Sequence, residues 1–113
     1  MKRELLKGNT PTLILSVLAS GPRHGYGIAR EIERRSSEAL KLGEGSLYPA
    51  LRLLEVEGLV VGGWEVQPSG PARKVYALTD AGREALAART RSWREFARAM
   101  ESVLGGTPDA QPA

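Results

Sequence analysis

The spacing of apolar positions switches from helical period to strand alternation and back as the chain is read from Pro11 to Leu104. Leu13, Ile14, Val17 and Leu18 give a first helix a wide apolar face. Its expected start is Thr10-Pro11, a capping hydroxyl followed by proline at the first helical position, and Gly21-Pro22 stops it. A second helix opens at His24-Gly25-Tyr26-Gly27 and turns Ile28 and Ile32 inward. Arg30, Arg34 and Arg35 alternate there with Glu31 and Glu33 on a solvated face. Ahead of the first helix, Leu5 and Leu6 sit among charges in Met1 to Gly8, the pattern of a fraying helical arm.

The stretch from Gly43 to Gly58 carries more information. Leu47, Ala50, Leu51, Leu54 and Gly58 form one stripe, with Tyr48, Pro49, Arg52 and Val56 on the opposite side. Ser46 is the expected N-cap, which puts Pro49 in the first turn, where amides have no intrahelical acceptor. Gly58 ends this helix. Val60 to Val66 and Arg73 to Leu78 then read as a hairpin around the turn-rich spacer from Gln67 to Ala72. Trp64 shares a strand face with Val60 and Val66. Lys74 has the parity of Tyr76 but lies nearer the loop, where a long cation can turn outward to water or phosphate.

Thr79 caps a last helix, with Asp80 in its first turn, that is expected to reach Leu104 and end at Gly105-Gly106. Roughly 25 residues span ~40 Å, more than so small a domain can cover. Leu86, Trp93 and Met100 recur every seventh position, Phe96 and Val103 interleave, and Arg89 breaks the pattern before Phe96. Such a seam is expected to be buried against a second copy of itself. Small residues and proline from Thr107 to Ala113 read as a disordered tail. The expected architecture is mainly α with a small β-hairpin: a winged helix-turn-helix domain over 1–78, a long C-terminal dimerisation helix over 79–104, and a tail over 105–113.

Composition narrows the function classes. At 113 residues the chain supports one modest domain, and 5% aromatic content makes its core aliphatic. The absence of cysteine excludes disulfides, thiol nucleophiles and zinc–cysteine sites. No apolar run approaches membrane-spanning length and no signal peptide is visible, so a cytoplasmic setting is expected. A net charge of +3 and a pI of about 9.6 permit nucleic-acid binding. Catalysis is not expected. His24 is the only histidine and has no orienting acid, Asp80 and Asp109 fall in a cap and in the tail, and Glu55 and Glu57 sit on different helix faces. His24 also lacks partners for a metal, and nothing calls for a cofactor.

In motif order the chain resembles the PadR family of bacterial transcriptional regulators, in particular its short form. The residues that carry the resemblance are His24-Gly25-Tyr26-Gly27-Ile28, Gly45-Ser46-Leu47-Tyr48-Pro49, Leu54-Glu55 and Gly58-Leu59. They continue with Trp64, Gly70, Arg73-Lys74-Val75-Tyr76 and Leu78-Thr79-Asp80-Ala81-Gly82, so that the resemblance runs from about Pro11 to Trp93. One position departs. The family commonly has a basic residue directly before the Leu-Glu pair, and Leu53 stands there, leaving Arg52 as the only cation of that helix. The resemblance implies a homodimer that binds a pseudo-palindromic operator on double-stranded DNA, usually as a repressor, and releases it when an effector arrives.

Roles can be assigned from these positions. Ser46, Tyr48 and Arg52 go to the operator groove, Arg73 and Lys74 to phosphate beside the wing, and His24 and Tyr26 to phosphate at a helix N-terminus. Tyr48 could instead pack on the second helix, and His24 and Tyr26 have an equal claim to structural roles. Leu86, Trp93, Phe96, Met100 and Val103 are the dimerisation positions. The resemblance also points to a small aromatic effector stacking on Trp93, with Leu86 and Ala97 beside it; the plain alternative for Trp93 is interface core. Two other function classes stay open, a winged helix used for protein contacts and a small-molecule-binding dimer. The steepness of salt dependence separates both from a DNA binder.

Overall fold

In the computed structural model, which describes residues 3–105, the order is α1 (Arg3–Lys7), α2 (Thr10–Leu18), β1 (Arg23–His24), α3 (Gly25–Arg35), α4 (Glu44–Val56), β2 (Val60–Glu65), β3 (Arg73–Leu78) and α5 (Asp80–Leu104). The aliphatic core lies where α2, α3 and α4 meet the base of the sheet. Ile14, Leu15, Val17 and Leu18 come from α2, Ile28 and Ile32 from α3, and Leu47, Leu51 and Leu54 from α4. Val60, Tyr76 and Leu78 close it from the strands. This is a winged helix-turn-helix: α3 and α4 form the helix pair, and β2–β3 is the wing.

The sheet has three strands rather than the expected two. The short β1 pairs antiparallel with β3, Arg23 opposite Tyr76 and His24 opposite Val75, giving the order β1-β3-β2. A two-residue strand has no periodicity to read, so only the pairing reveals it. β2 and β3 pair from Val60↔Leu78 to Glu65↔Arg73, and Val66 falls just outside. Trp64 does share a face with Val60, but Val60 is buried at the root of the hairpin whereas Trp64, near its tip, is 73% exposed.

Two caps differ from expectation. Thr10 is the first residue of α2 and is buried, and its hydroxyl donates to the Leu6 carbonyl at 3.1 Å instead of accepting from the helix. The N-cap of α4 is Gly43 and not Ser46, which lies inside the first turn with no side-chain cap. Pro49 is therefore inside the helix. The carbonyl that loses its partner belongs to Gly45, an exposed residue. The end of α4 is as expected: Gly58 has φ 76°, its N–H donates to the Glu55 carbonyl, and Leu59 N–H reaches back to Leu54. At the end of α3 the same geometry falls on Ser37, at φ 52°.

α5 begins as the sequence indicates. The Thr79 hydroxyl accepts from Gly82 N–H at 3.0 Å and donates to the Gly58 carbonyl at 2.7 Å, so one side chain caps α5 and ties it to the end of α4. Gly82 is buried against Leu59, and Ala85 and Leu86 pack on the core. From Arg91 to Leu104 every residue is exposed except the half-buried Ala97. Gly105, at φ 97°, closes the helix; the rest of the tail expected over 105–113, from residue 106 on, lies outside the described residues. Among the described residues no helix is long and apolar enough to cross a membrane.

Candidate nucleic-acid interface

α4 owes its orientation to burial. Leu47, Leu51 and Leu54 point into the core, which turns Ser46, Tyr48, Pro49 and Arg52 outward. Ser46 and Arg52 are exposed, and Arg52 has no ion-pair partner among the described residues. Tyr48 is divided. It is 39% exposed, yet its ring lies so close to the start of α3 that a Cβ on Gly25 would sit 2.7 Å from its Cε1 and hydroxyl oxygen. A side chain at Gly25 would have to displace this ring, which fills the space between the two helices. Leu53, where a cation is common in the family resembled, is 54% exposed beside Arg52.

His24 is the N-cap residue of α3 and is half-buried, while Tyr26 is 65% exposed. Their rings stack with centroids 6.4 Å apart, and the Arg30 guanidinium stands 6.0 Å from the Tyr26 centroid. At the far end of α3, Glu31 receives Arg34 through two hydrogen bonds of 2.9 and 2.6 Å and Arg35 through one of 2.7 Å. These two guanidinium groups hold its carboxyl at about 2, well below the ordinary 4.5. Arg35 also donates to the Ser20 hydroxyl at 2.8 Å, which ties the end of α3 to the end of α2.

On the wing, Arg73 is exposed and only loosely engaged, 3.8 Å from Glu65 on the opposite strand. Lys74 does not turn outward. Its Nζ lies 2.9 Å from Glu55 Oε1 on α4 and 5.4 Å from the Tyr76 ring centroid. Hydrogen bonding to Glu55 raises its pKa above the usual 10.5. Burial raises that of Tyr76, against the opposing pull of the Lys74 charge. Sequence reasoning treated Glu55 as one residue of the Leu54-Glu55 motif and as half of a failed acid pair. Nothing local in the chain signals its contact with a lysine on another element.

The third group of positions lies apart, along α5. Trp93 is 52% exposed, and Phe96, Met100 and Val103 are exposed with it. Leu86 sits differently, half-buried on the core of its own domain. Trp93 and Phe96 border a surface depression with Asn9, Thr12, Ala88, Arg89 and Ser92, and neither Leu86 nor Ala97 lines it. Among the described residues no cluster of three or more His, Asp or Glu is placed to hold a metal.

A three-helix core that turns one helix face outward beside a β-hairpin defines the winged helix-turn-helix DNA-binding class. Comparison with known proteins narrows this to a family. Residues 14–88 match the Transcriptional regulator PadR-like family, and the chain belongs to it. It is 38% identical over 104 residues to the transcriptional regulator Rv3488 of Mycobacterium tuberculosis, covering 92% of this chain and 91% of that protein. A solved PadR family transcription regulator from Clostridium difficile is 33% identical with a TM-score of 0.73, covering 86% of this chain and 99% of the other. A transcriptional regulator from Clostridium thermocellum is similar in fold, with a TM-score of 0.82 at 24% identity over 90% of this chain and 96% of the other. The protein is thus a transcriptional regulator of the PadR family, and membership implies DNA binding.

Proposed function

We propose that the protein acts as a homodimeric repressor. Two copies clasp through α5, present their α4 helices and wings to a pseudo-palindromic operator in the cytoplasm, and let go when a small aromatic effector binds. It works by binding alone, without catalysis, cofactor or metal. The observation that carries this reading is the outward face of α4, where Ser46, Tyr48 and Arg52 stand clear of the core. Support for the dimer comes from the uncovered seam of Trp93, Phe96, Met100 and Val103 on a helix that leaves its own domain. Two reading helices in one dimer call for half-sites one turn of DNA apart, ~34–36 Å, or a multiple of it.

Arg52 is assigned to the groove, Arg73 to phosphate from the wing, and Ser46 to the backbone at the start of α4. His24, Tyr26 and Tyr48 complete the contact surface. An effector stacks on Trp93 and acts by preferring one dimer shape over another, since equal affinity for both would shift nothing. The test is a gel-shift titration against the DNA upstream of the protein's own gene, repeated over a salt series, with sedimentation in parallel. A dimer whose affinity falls steeply with salt supports the reading, because each phosphate contact releases counterions. A lone protomer at micromolar concentration, indifferent to DNA in dilute buffer, overturns it.

A further inference from the structure

Glu55 and Lys74 are 19 residues apart in sequence and belong to different elements, α4 and β3, yet they meet at 2.9 Å. The hairpin register explains how. Val60↔Leu78, Gly62↔Tyr76 and Trp64↔Lys74 place these residues on one face of the wing. At the root that face is anchored by the buried Val60 and Leu78 and, one pair farther out, by Tyr76; beyond Tyr76 the pair Trp64 and Lys74 is not buried. The Lys74 stem crosses β2 at Gly62. A Cβ at Gly62 would overlap Lys74 Cε and come within 3.2 Å of Glu55 Oε2. The lysine stem takes the space that a side chain at residue 62 would fill. Tyr76, buried at 7% exposure, sets its ring 5.4 Å from the ammonium and so bounds the lysine from within.

We propose that Glu55 and Lys74 are a positioning pair: the ion pair laid across Gly62 fixes the angle of the wing to α4, and Lys74 itself is not a phosphate contact. The inference rests on the DNA-binding reading for its consequence, but the geometry of the wing can be tested without DNA. With Lys74 committed to Glu55, the cation that the wing offers a phosphate is Arg73, which is exposed and only 3.8 Å-paired to Glu65. Wing and reading helix then dock as one body. Losing either partner blurs the fit of both.

The test uses the full chain with Glu55→Gln, Lys74→Met, the double variant, and Lys74→Arg. Hydrogen exchange of the β2 and β3 amides is the first measurement. Each single variant is expected to speed it by about two- to fivefold, the range of a half-exposed ion pair, with no further gain in the double variant. Unchanged exchange in both singles overturns the proposal. Affinity for DNA upstream of the gene, over a salt series, is the second. Both singles should weaken binding by a similar factor at unchanged salt slope, and Lys74→Arg should restore it. A slope reduced by about 0.9 in Lys74→Met, with Glu55→Gln binding normally, would mark Lys74 as a phosphate contact and overturn the proposal. If the wild-type protein does not bind DNA at all, the DNA-binding reading falls, while hydrogen exchange still decides whether the pair holds the wing.

Discussion

Replacing Gly82 by alanine sets two energies of opposite sign against each other. Gly82 is in the first turn of α5, and helix propensity alone favours alanine over glycine by about 1 kcal/mol. The tertiary structure opposes it. A Cβ there would overlap the Leu59 carbonyl oxygen and stand 2.8 Å from Leu78 Cδ1 and 3.1 Å from the Leu59 carbonyl carbon. The nearest obstacle is backbone, and it cannot rotate away, because the same carbonyl accepts the Thr79 N–H at 3.2 Å. The start of α5 must move off Leu59 by more than the small shifts that cores absorb. Overpacking of this kind typically costs about 1–3 kcal/mol and more where backbone is involved. Because the obstacle is backbone the upper end applies, and with the propensity gain subtracted a net loss of about 2 kcal/mol remains, a fall of several degrees in Tm. The control is Gly45→Ala in the first turn of α4, where nothing lies within 4 Å and the gain, up to about 1 kcal/mol, stands unopposed. Urea and thermal unfolding at one fixed protein concentration measure both, the concentration being held because association shifts apparent stability. Gly82→Ala as stable as wild type would show that α5 does not seat against Leu59 in this way.

Three other outcomes are expected. Arg52→Ala should weaken operator binding by about 1–3 kcal/mol, the worth of one good base contact, with the sedimentation profile unchanged; equal affinity in a gel shift would remove Arg52 from the interface. A planar aromatic compound should quench Trp93 emission and lose that effect in Trp93→Phe, which leaves Trp64 alone; equal quenching in the variant would place the ligand elsewhere. Glu31, held at about 2 by Arg34 and Arg35, is expected to stabilise the fold above its ordinary pKa of 4.5 and to lose that contribution as pH falls from there toward 2. The urea midpoint of Glu31→Gln should therefore lie below wild type at pH 6 and converge with it in acid. A gap as wide at pH 2 as at pH 6 would contradict the assignment.

Local rules determined most of the elements. The stripe of Leu47, Leu51 and Leu54 settled which way α4 faces, because only one face of a helix can be apolar and buried at once. Thr79 and Gly105 marked both ends of α5, and Gly58 the end of α4, since capping is chemistry between near neighbours in the chain. Where near neighbours did not decide, the sequence misled or was silent. Ser46 is a good capping residue, but α4 starts earlier, with the Gly43 carbonyl accepting from Leu47 N–H at 3.0 Å, so Gly43 holds the cap and Pro49 lies inside the helix. Thr10 turned its hydroxyl back to Leu6 because α1 runs almost directly into α2. β1 exists only because β3 offers it an edge. Tyr48 reaches Gly25, and Lys74 reaches Glu55 across Gly62, through distances set by packing between elements. Period and capping are read along the chain, so the sequence by itself carried the helices, the hairpin and the family. Which side chains stand clear of the core and which serve the scaffold depends on pairs far apart in sequence, and only the tertiary structure brings those together.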